Sequence, residues 1–150
     1  MSEQPTVFIS YSHSNEKERE WVRQFAKRLS EHNFSVWFDE WNLRPGENLA
    51  QAIQKGLRNS KTFVAVLSRG RESSPNLLFE LGVAIGAGKQ LIPILAKDVD
   101  NSKLPFEIRS RRFLPMDSPD KTARQVIDAI QDESEDSDAG VLAAAKTRAN

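Results

Sequence analysis

Apolar residues along this chain fall into two rhythms. Phe63-Val64-Ala65-Val66-Leu67 is apolar at every position, the pattern of a parallel strand covered on both faces. Val7-Phe8-Ile9 and Leu91-Ile92-Pro93-Ile94-Leu95 are similar short runs, the second with a proline that predicts a bulge or irregular pairing. Phe34 to Asp39 reads as a further strand and Phe113-Leu114 as a short last one. Between these runs the period lengthens to that of a helix. Trp21, Val22, Phe25, Ala26 and Leu29 share one face, with Glu16 and Glu18 in the first turn and His32-Asn33 closing the element. A second helix is predicted from about Asn48 to Arg58, with Leu49, Ile53 and Leu57 on one face. Ser74 then Pro75 reads as a cap followed by a proline at the first helical position, which starts a third helix running to about Gly88. The polar stretch to about Arg111 reads as irregular, with one turn of helix near Phe106 to Arg109, and Ala123, Val126, Ile127 and Ile130 make the final helix.

Strands alternating with helices imply right-handed crossovers and an open parallel sheet between helical layers. Five strands over about 130 residues fit an α/β, flavodoxin-like sheet in the order 2-1-3-4-5, flanked by helices, with its ligand crevice at the carboxyl ends of strands 1 and 3. The 150 residues suit one domain, expected over residues 1–131.

Charge changes that picture at one end. The totals of 21 basic and 21 acidic residues cancel, but Asp132, Glu133, Glu135, Asp136 and Asp138 are five acids in seven positions. Residues 1–131 then hold 19 basic against 16 acidic residues, a net of +3, too weak a bias to argue for nucleic acid. Residues 132–150 are expected to be an acidic linker or tail, disordered or leading to a further domain. No stretch approaches the roughly 18 apolar residues of a membrane span, and Met1 to Pro5 lacks a signal-peptide plan, so a soluble, cytoplasmic protein is expected. With no cysteine and only His13 and His32, disulfides and thiolate metal sites are excluded and no metal site is expected.

The candidate chemistry starts at Glu80, the one charge in the run from Ser73 to Gly88. A carboxylate on such a surface is satisfied by a partner, for which Arg44 or loop amides are available, or held for chemistry. Its spacing puts it on a face with Leu77 and Ala84. Asn76, one turn earlier, offers an amide to a hydroxyl or amide, or else caps the helix. Ser10 and Ser12 offer hydroxyls and backbone amides suited to phosphate or ribose, without the glycines of a phosphate loop. His13 has no partner at recognisable spacing. Trp41, in an otherwise polar loop, offers a stacking or partner surface or packs back onto the domain.

At this point the residues resemble a family. Phe8-Ile9-Ser10-Tyr11-Ser12 is similar to the opening box of TIR domains, Asn42-Leu43-Arg44-Pro45-Gly46-Glu47 to their loop after the second strand, and Ser74-Pro75-Asn76-Leu77-Leu78-Phe79-Glu80-Leu81-Gly82 to the corresponding helix of bacterial members. The resemblance implies the flavodoxin-like fold and two possible functions: homotypic assembly in signalling, or cleavage of NAD at the nicotinamide bond by a helix glutamate that falls on Glu80. NAD-cleaving animal and plant relatives often carry a tryptophan shortly before that glutamate. Here Asn76-Leu77-Leu78-Phe79 takes the place, which leaves stacking on nicotinamide to Phe79, Trp41 or Tyr11.

Three function classes follow. The first is a TIR enzyme that hydrolyses or cyclises NAD, in bacterial antiviral defence or signalling, with NAD as substrate and no cofactor. The family points to a homo-oligomer or filament formed through TIR–TIR contacts and completing the pocket, and to a sensor domain or protein as partner. The second is a non-catalytic module assembling through Glu40 to Glu47. The third is a nucleoside-processing transferase, for which Asp39 is the available acid. Ser10, Tyr11, Ser12, Asp39, Trp41, Arg44, Asn76 and Phe79 are the expected substrate-binding residues around Glu80. A phosphorylation receiver is disfavoured because the first strand ends in Ser-Tyr-Ser.

Overall fold

The computed structural model describes residues 6–12, 16–69 and 75–138. Strands β1 (Thr6–Ser10), β2 (Ser35–Trp37), β3 (Thr62–Leu67), β4 (Gln90–Leu95) and β5 (Leu114–Pro115) form one parallel sheet in the order β2-β1-β3-β4-β5. The helices are α1 (Glu16–Glu31), α2 (Asp39–Asn42), α3 (Leu49–Asn59), α4 (Pro75–Gly86), α5 (Phe106–Arg109) and α6 (Pro119–Asp138). The flavodoxin-like order read from the sequence is the order found.

Side chains alternate across a strand, so each apolar run feeds two cores. Val7, Ile9, Val64, Val66, Ile92 and Ile94 face a layer roofed by Val22, Phe25, Ala26 and Leu29 of α1 and by Ala123, Val126, Ile127 and Ile130 of α6. Phe8, Phe63, Ala65, Leu67, Leu91 and Leu95 face the other layer, closed by Leu57 of α3, Leu81 and Ala84 of α4, Leu104, and Ile108 of α5. The uninterrupted hydrophobicity of β3 has this cause.

Helix ends follow local chemistry. Asn33 takes φ 68°, and the Phe34 N–H turns back to Leu29 O, which closes α1. Asn48 caps α3 by accepting the Gln51 N–H at 3.0 Å. α4 stops at Gly86, two residues before the expected end, because Gly88 adopts φ 70° and lets the Lys89 N–H reach Ala84 O. The expected cap at Ser74 lies outside the described residues.

Four expectations need correction. Pro93 makes no bulge: β3 and β4 stay in register from Thr62↔Gln90 to Leu67↔Leu95. The Gln90 and Ala96 N–H groups both donate to the β3 side, so Pro93 turns its nitrogen toward β5, which pairs only from Ile94 onward. β2 is confined to Ser35–Trp37, and Asp39–Asn42, read as strand end and loop, is a helical turn. The last strand is Leu114–Pro115, one residue later than read. α6 stays helical to Asp138, through residues read as linker.

The second layer contains a close approach. Phe8 pairs in register with both Trp37 and Phe63, and the rings stack at 4.7 Å and 5.6 Å. Gly56, inside α3, sits so near the indole that a Cβ there would lie 2.7 Å from ring atoms. Alanine normally gains about 1 kcal/mol over glycine within a helix. Here the rigid indole blocks it, and overpacking costs about 1–3 kcal/mol. Gly56→Ala should therefore lower the thermal midpoint; an equal or raised midpoint would show that the β2–α3 seam has room to yield.

Candidate functional site

Three consecutive residues at the carboxyl end of β1 each donate a hydrogen bond to a carboxylate from a different helix. The Ser10 hydroxyl donates to Glu80 Oε2 of α4. The Tyr11 phenol donates to Asp39 Oδ1 of α2 at 2.6 Å. The Ser12 N–H donates to Glu18 Oε2 of α1 at 2.7 Å. Ser10, Tyr11, Glu18 and Glu80 are all buried, Glu80 at 9% exposure. β1 and β3 flank the point where the strand order reverses, so this cluster occupies the crevice position of a doubly wound sheet.

The α2 turn is pinned from both sides. Phe38, fully buried, precedes it, and its N–H donates to Asn42 Oδ1 at 2.9 Å. Asp39 Oδ1 also accepts the Glu40 N–H at 2.9 Å. Arg23 grips Glu40 with two nitrogens, Nε at 2.7 Å and Nη2 at 2.9 Å, and Arg19 Nη2 adds a third contact at 3.2 Å. The Arg23 hydrogen bonds hold the Glu40 carboxyl below its ordinary range. Burial pushes the Tyr11 phenol far above its usual value, and the Asp39 hydrogen bond adds to this, so Tyr11 remains a donor at neutral pH. Trp41 packs edge-on against Phe38 at 5.3 Å and still leaves 51% of its surface exposed. The contact with Phe38 matches the reading in which this tryptophan packs back onto the domain.

Residues 7–141 match the family described as TIR domain. The chain belongs to the TIR domain family. A relative in Acinetobacter baumannii, the 2′ cyclic ADP-D-ribose synthase AbTIR, is 32% identical over 107 residues, 69% of this chain and 40% of the relative. The NAD(+) hydrolase TcpA of a Theionarchaea archaeon is 38% identical over 63 residues, 42% of this chain and 18% of the relative. The chain thus spans less than half the length of the curated relatives it matches. Among solved structures, the TIR domain of a Toll-related receptor from Hydra magnipapillata superposes with a TM-score of 0.63 at 23% identity, covering 84% of this chain and 95% of that one, a likeness of fold.

Within this TIR domain the expected site residues divide into groups. Ser10, Tyr11, Ser12, Asp39 and Glu80 meet around the end of β1. Asn76 and Phe79 lie on α4, in the two turns leading to Glu80; their side chains, like His13, lie outside what is described. Arg44 is exposed, in a turn where its N–H donates to Glu47 Oε1 at 3.2 Å and Gly46 takes φ 82°. It was one expected partner of Glu80, whereas Ser10 makes the hydrogen bond. Glu18 was read as a first-turn acid and missed as part of the cluster. The signal was present: Glu18 precedes Val22 and Phe25 by four and seven residues and so shares their buried face. Among the described residues no group of His, Cys, Asp or Glu is placed to hold a metal ion.

Tyr11→Phe removes one hydrogen bond to a charged group while keeping the ring, and should cost about 1.5–3 kcal/mol in denaturant unfolding. A loss below about 0.5 kcal/mol would show that Asp39 finds water instead. Glu40 gives a pH dependence. Its folded-state pKa lies below the ordinary 4.5, so its stabilisation is complete above that value and lost as pH falls through the folded pKa. Glu40→Gln should flatten the acid limb of stability against pH; an unchanged slope between pH 5 and pH 2 would rule this out.

Proposed function

We propose that this TIR domain cleaves NAD at the bond between nicotinamide and ribose, with Glu80 as the catalytic carboxylate. The observation that carries the reading is the position of Glu80: buried, at the switch-point crevice, with its carboxylate oriented by Ser10. The names of the relatives, a 2′ cyclic ADP-D-ribose synthase and an NAD(+) hydrolase, support the same class of reaction.

The chemistry asks little of the protein beyond one well-placed carboxylate. Nicotinamide departs from a cationic pyridinium as a neutral ring, so no acid is needed to protonate it. The positive charge passes to the ribose carbon and ring oxygen, and a carboxylate in a dry crevice stabilises that oxocarbenium-like state electrostatically. Glycosidases with poor leaving groups need a second carboxyl as acid. Asp39, the acid the sequence offered for that role, accepts the Tyr11 phenol. Water completing the reaction gives ADP-ribose, whereas a ribose hydroxyl of the same molecule gives a cyclic isomer.

In this reading NAD is a substrate and no cofactor is required. Ser10 and Ser12 are the candidates for its ribose and phosphate groups, Asn76 and Phe79 the candidates on α4, and the exposed Trp41 offers an aromatic surface, whereas the Tyr11 ring, buried against Phe38 with its phenol on Asp39, is structural and does not stack on nicotinamide. Trp41 on α2 and Arg44 in the turn after it are both exposed, where a neighbouring copy would complete the pocket. Turnover per molecule should then rise with protein concentration.

The second reading, an assembly module without activity, is favoured by the same exposed Trp41 on a pinned turn. NAD consumption separates the two. Glu80→Gln keeps the side-chain volume and an oxygen for Ser10 but removes the charge, and should lower NAD turnover by about 100-fold or more, in line with loss of one electrostatic stabiliser. Chromatography and mass spectrometry of the parent reaction identify the product. Equal consumption by parent and variant would remove Glu80 from the mechanism, and no consumption by a concentrated parent would favour the assembly module.

A further inference from the structure

In doubly wound sheets the amino end of the helix after the first strand ordinarily receives phosphate, cradled by backbone N–H groups of a glycine-bearing turn. In this chain a side chain of its own takes that place. β1 pairs with β2 as far as Phe8↔Trp37 and with β3 as far as Ser10↔Ala65, so Ser12 lies beyond both ladders. Its N–H donates to Glu18 Oε2 at 2.7 Å, and Glu18 is 4% exposed. A first-turn glutamate usually reaches back to the N–H of the residue just before its helix. Glu18 reaches three residues further back and ties α1 to the strand end. Its charge sits where the helix dipole favours an anion, which is where a bound phosphate would otherwise sit.

Two further features act in the same sense. The stretch from Ser10 to Asn15 contains no glycine, the residue that lets backbone approach a phosphate closely. The first five residues of α1 carry three acids, Glu16, Glu18 and Glu20, against Lys17 and Arg19. Arg19 is engaged by Glu16 at 3.7 Å and by Glu40 at 3.2 Å. With Glu80 on the Ser10 hydroxyl, carboxylates reach this strand end from both α1 and α4. Carboxylates accept hydrogen bonds from ribose hydroxyls and attract a pyridinium cation, whereas they repel phosphate.

We propose that Glu18 is a specificity-determining residue that keeps phosphate from the carboxyl end of β1, and that the site therefore also hydrolyses a ribosyl pyridinium without phosphate, nicotinamide riboside. The inference rests on the reading of Glu80 in NAD cleavage and adds which part of the substrate this end of the crevice recognises: ribose hydroxyls and the cationic ring, with the phosphates directed away. The bond from ribose C1′ to the ring nitrogen breaks and its electron pair leaves with neutral nicotinamide. Water bonds to C1′ and gives up one proton, so the products are ribose, nicotinamide and a proton. In NAD each phosphate carries one charge and the adenosine half supplies contacts elsewhere. In nicotinamide mononucleotide the terminal phosphate carries about two charges and brings no such contacts.

The test compares nicotinamide release by the concentrated full chain from NAD, nicotinamide riboside and nicotinamide mononucleotide, followed by chromatography over a range of substrate concentrations. kcat/KM for the riboside should exceed that for the mononucleotide at least about tenfold, through repulsion of the phosphate by the buried carboxylates. Glu18→Gln keeps an oxygen for the Ser12 N–H and removes the charge, and should reduce that ratio at least about fivefold. A purely structural role would lower all three activities together and leave the ratio where it was. Circular dichroism checks folding; Glu18→Met, neutral and of similar length, replaces the variant if it unfolds, and the parent ratio is measured in either case. A mononucleotide cleaved as well as the riboside, an unchanged ratio in a folded variant, or NAD consumed with neither smaller substrate cleaved would overturn the proposal and leave the NAD reading standing. Failure of the parent to cleave any of the three would end both.

Discussion

The carboxyl end of β1, with the two residues that follow it, is the constraint on which the rest of the site depends. Ser10, Tyr11 and Ser12 donate to Glu80, Asp39 and Glu18, carboxylates carried by α4, α2 and α1. A buried carboxylate is costly unless it is hydrogen-bonded, so these contacts select one arrangement of three helices around one strand end. Register enforces it further. A slip of one residue along β1 would exchange the faces to which Ser10 and Tyr11 point and would strand all three acids at once, along with Val7, Phe8 and Ile9 in the wrong layers.

The α2 turn shows how an exposed feature can still be rigid. Trp41 lies half in solvent, yet the turn carrying it is held by buried Phe38, by the Tyr11 phenol on Asp39 and by two arginines of α1 on Glu40. A continuous path runs from this surface through Asp39 and Tyr11 to the adjacent Ser10 and on to Glu80. Whatever rests on Trp41 is therefore mechanically close to the crevice. The basic face around α5 is built differently, on a short element anchored by two apolar residues and decorated with unmatched charge. The arginines beside the α2 turn are thus paired within the chain, whereas Arg109, Arg111 and Arg112 form no ion pair among the described residues.

By itself the sequence determined the layers of this TIR domain. Unbroken apolar runs in β3 and β4 and helical periodicity between strands leave few alternatives to a parallel sheet covered on both faces, because side-chain alternation demands a core on each side. It also singled out Glu80, since a lone acid in an apolar helix is conspicuous against its neighbours. What it did not reveal was pairing between distant residues: that Ser10 rather than Arg44 meets Glu80, that Tyr11 occupies Asp39, and that Glu18, which read as an ordinary first-turn acid, is buried against Ser12. The boundaries at β2 and α2 failed for a related reason. Asp39–Asn42 coils into a turn because Tyr11, Arg19 and Arg23 hold its acids, and those groups are 17 to 28 residues away. Local pattern records which faces are apolar; hydrogen bonds between separate elements exist only once the chain has brought their ends together, and those bonds, not the periodicity, decide the geometry of the site.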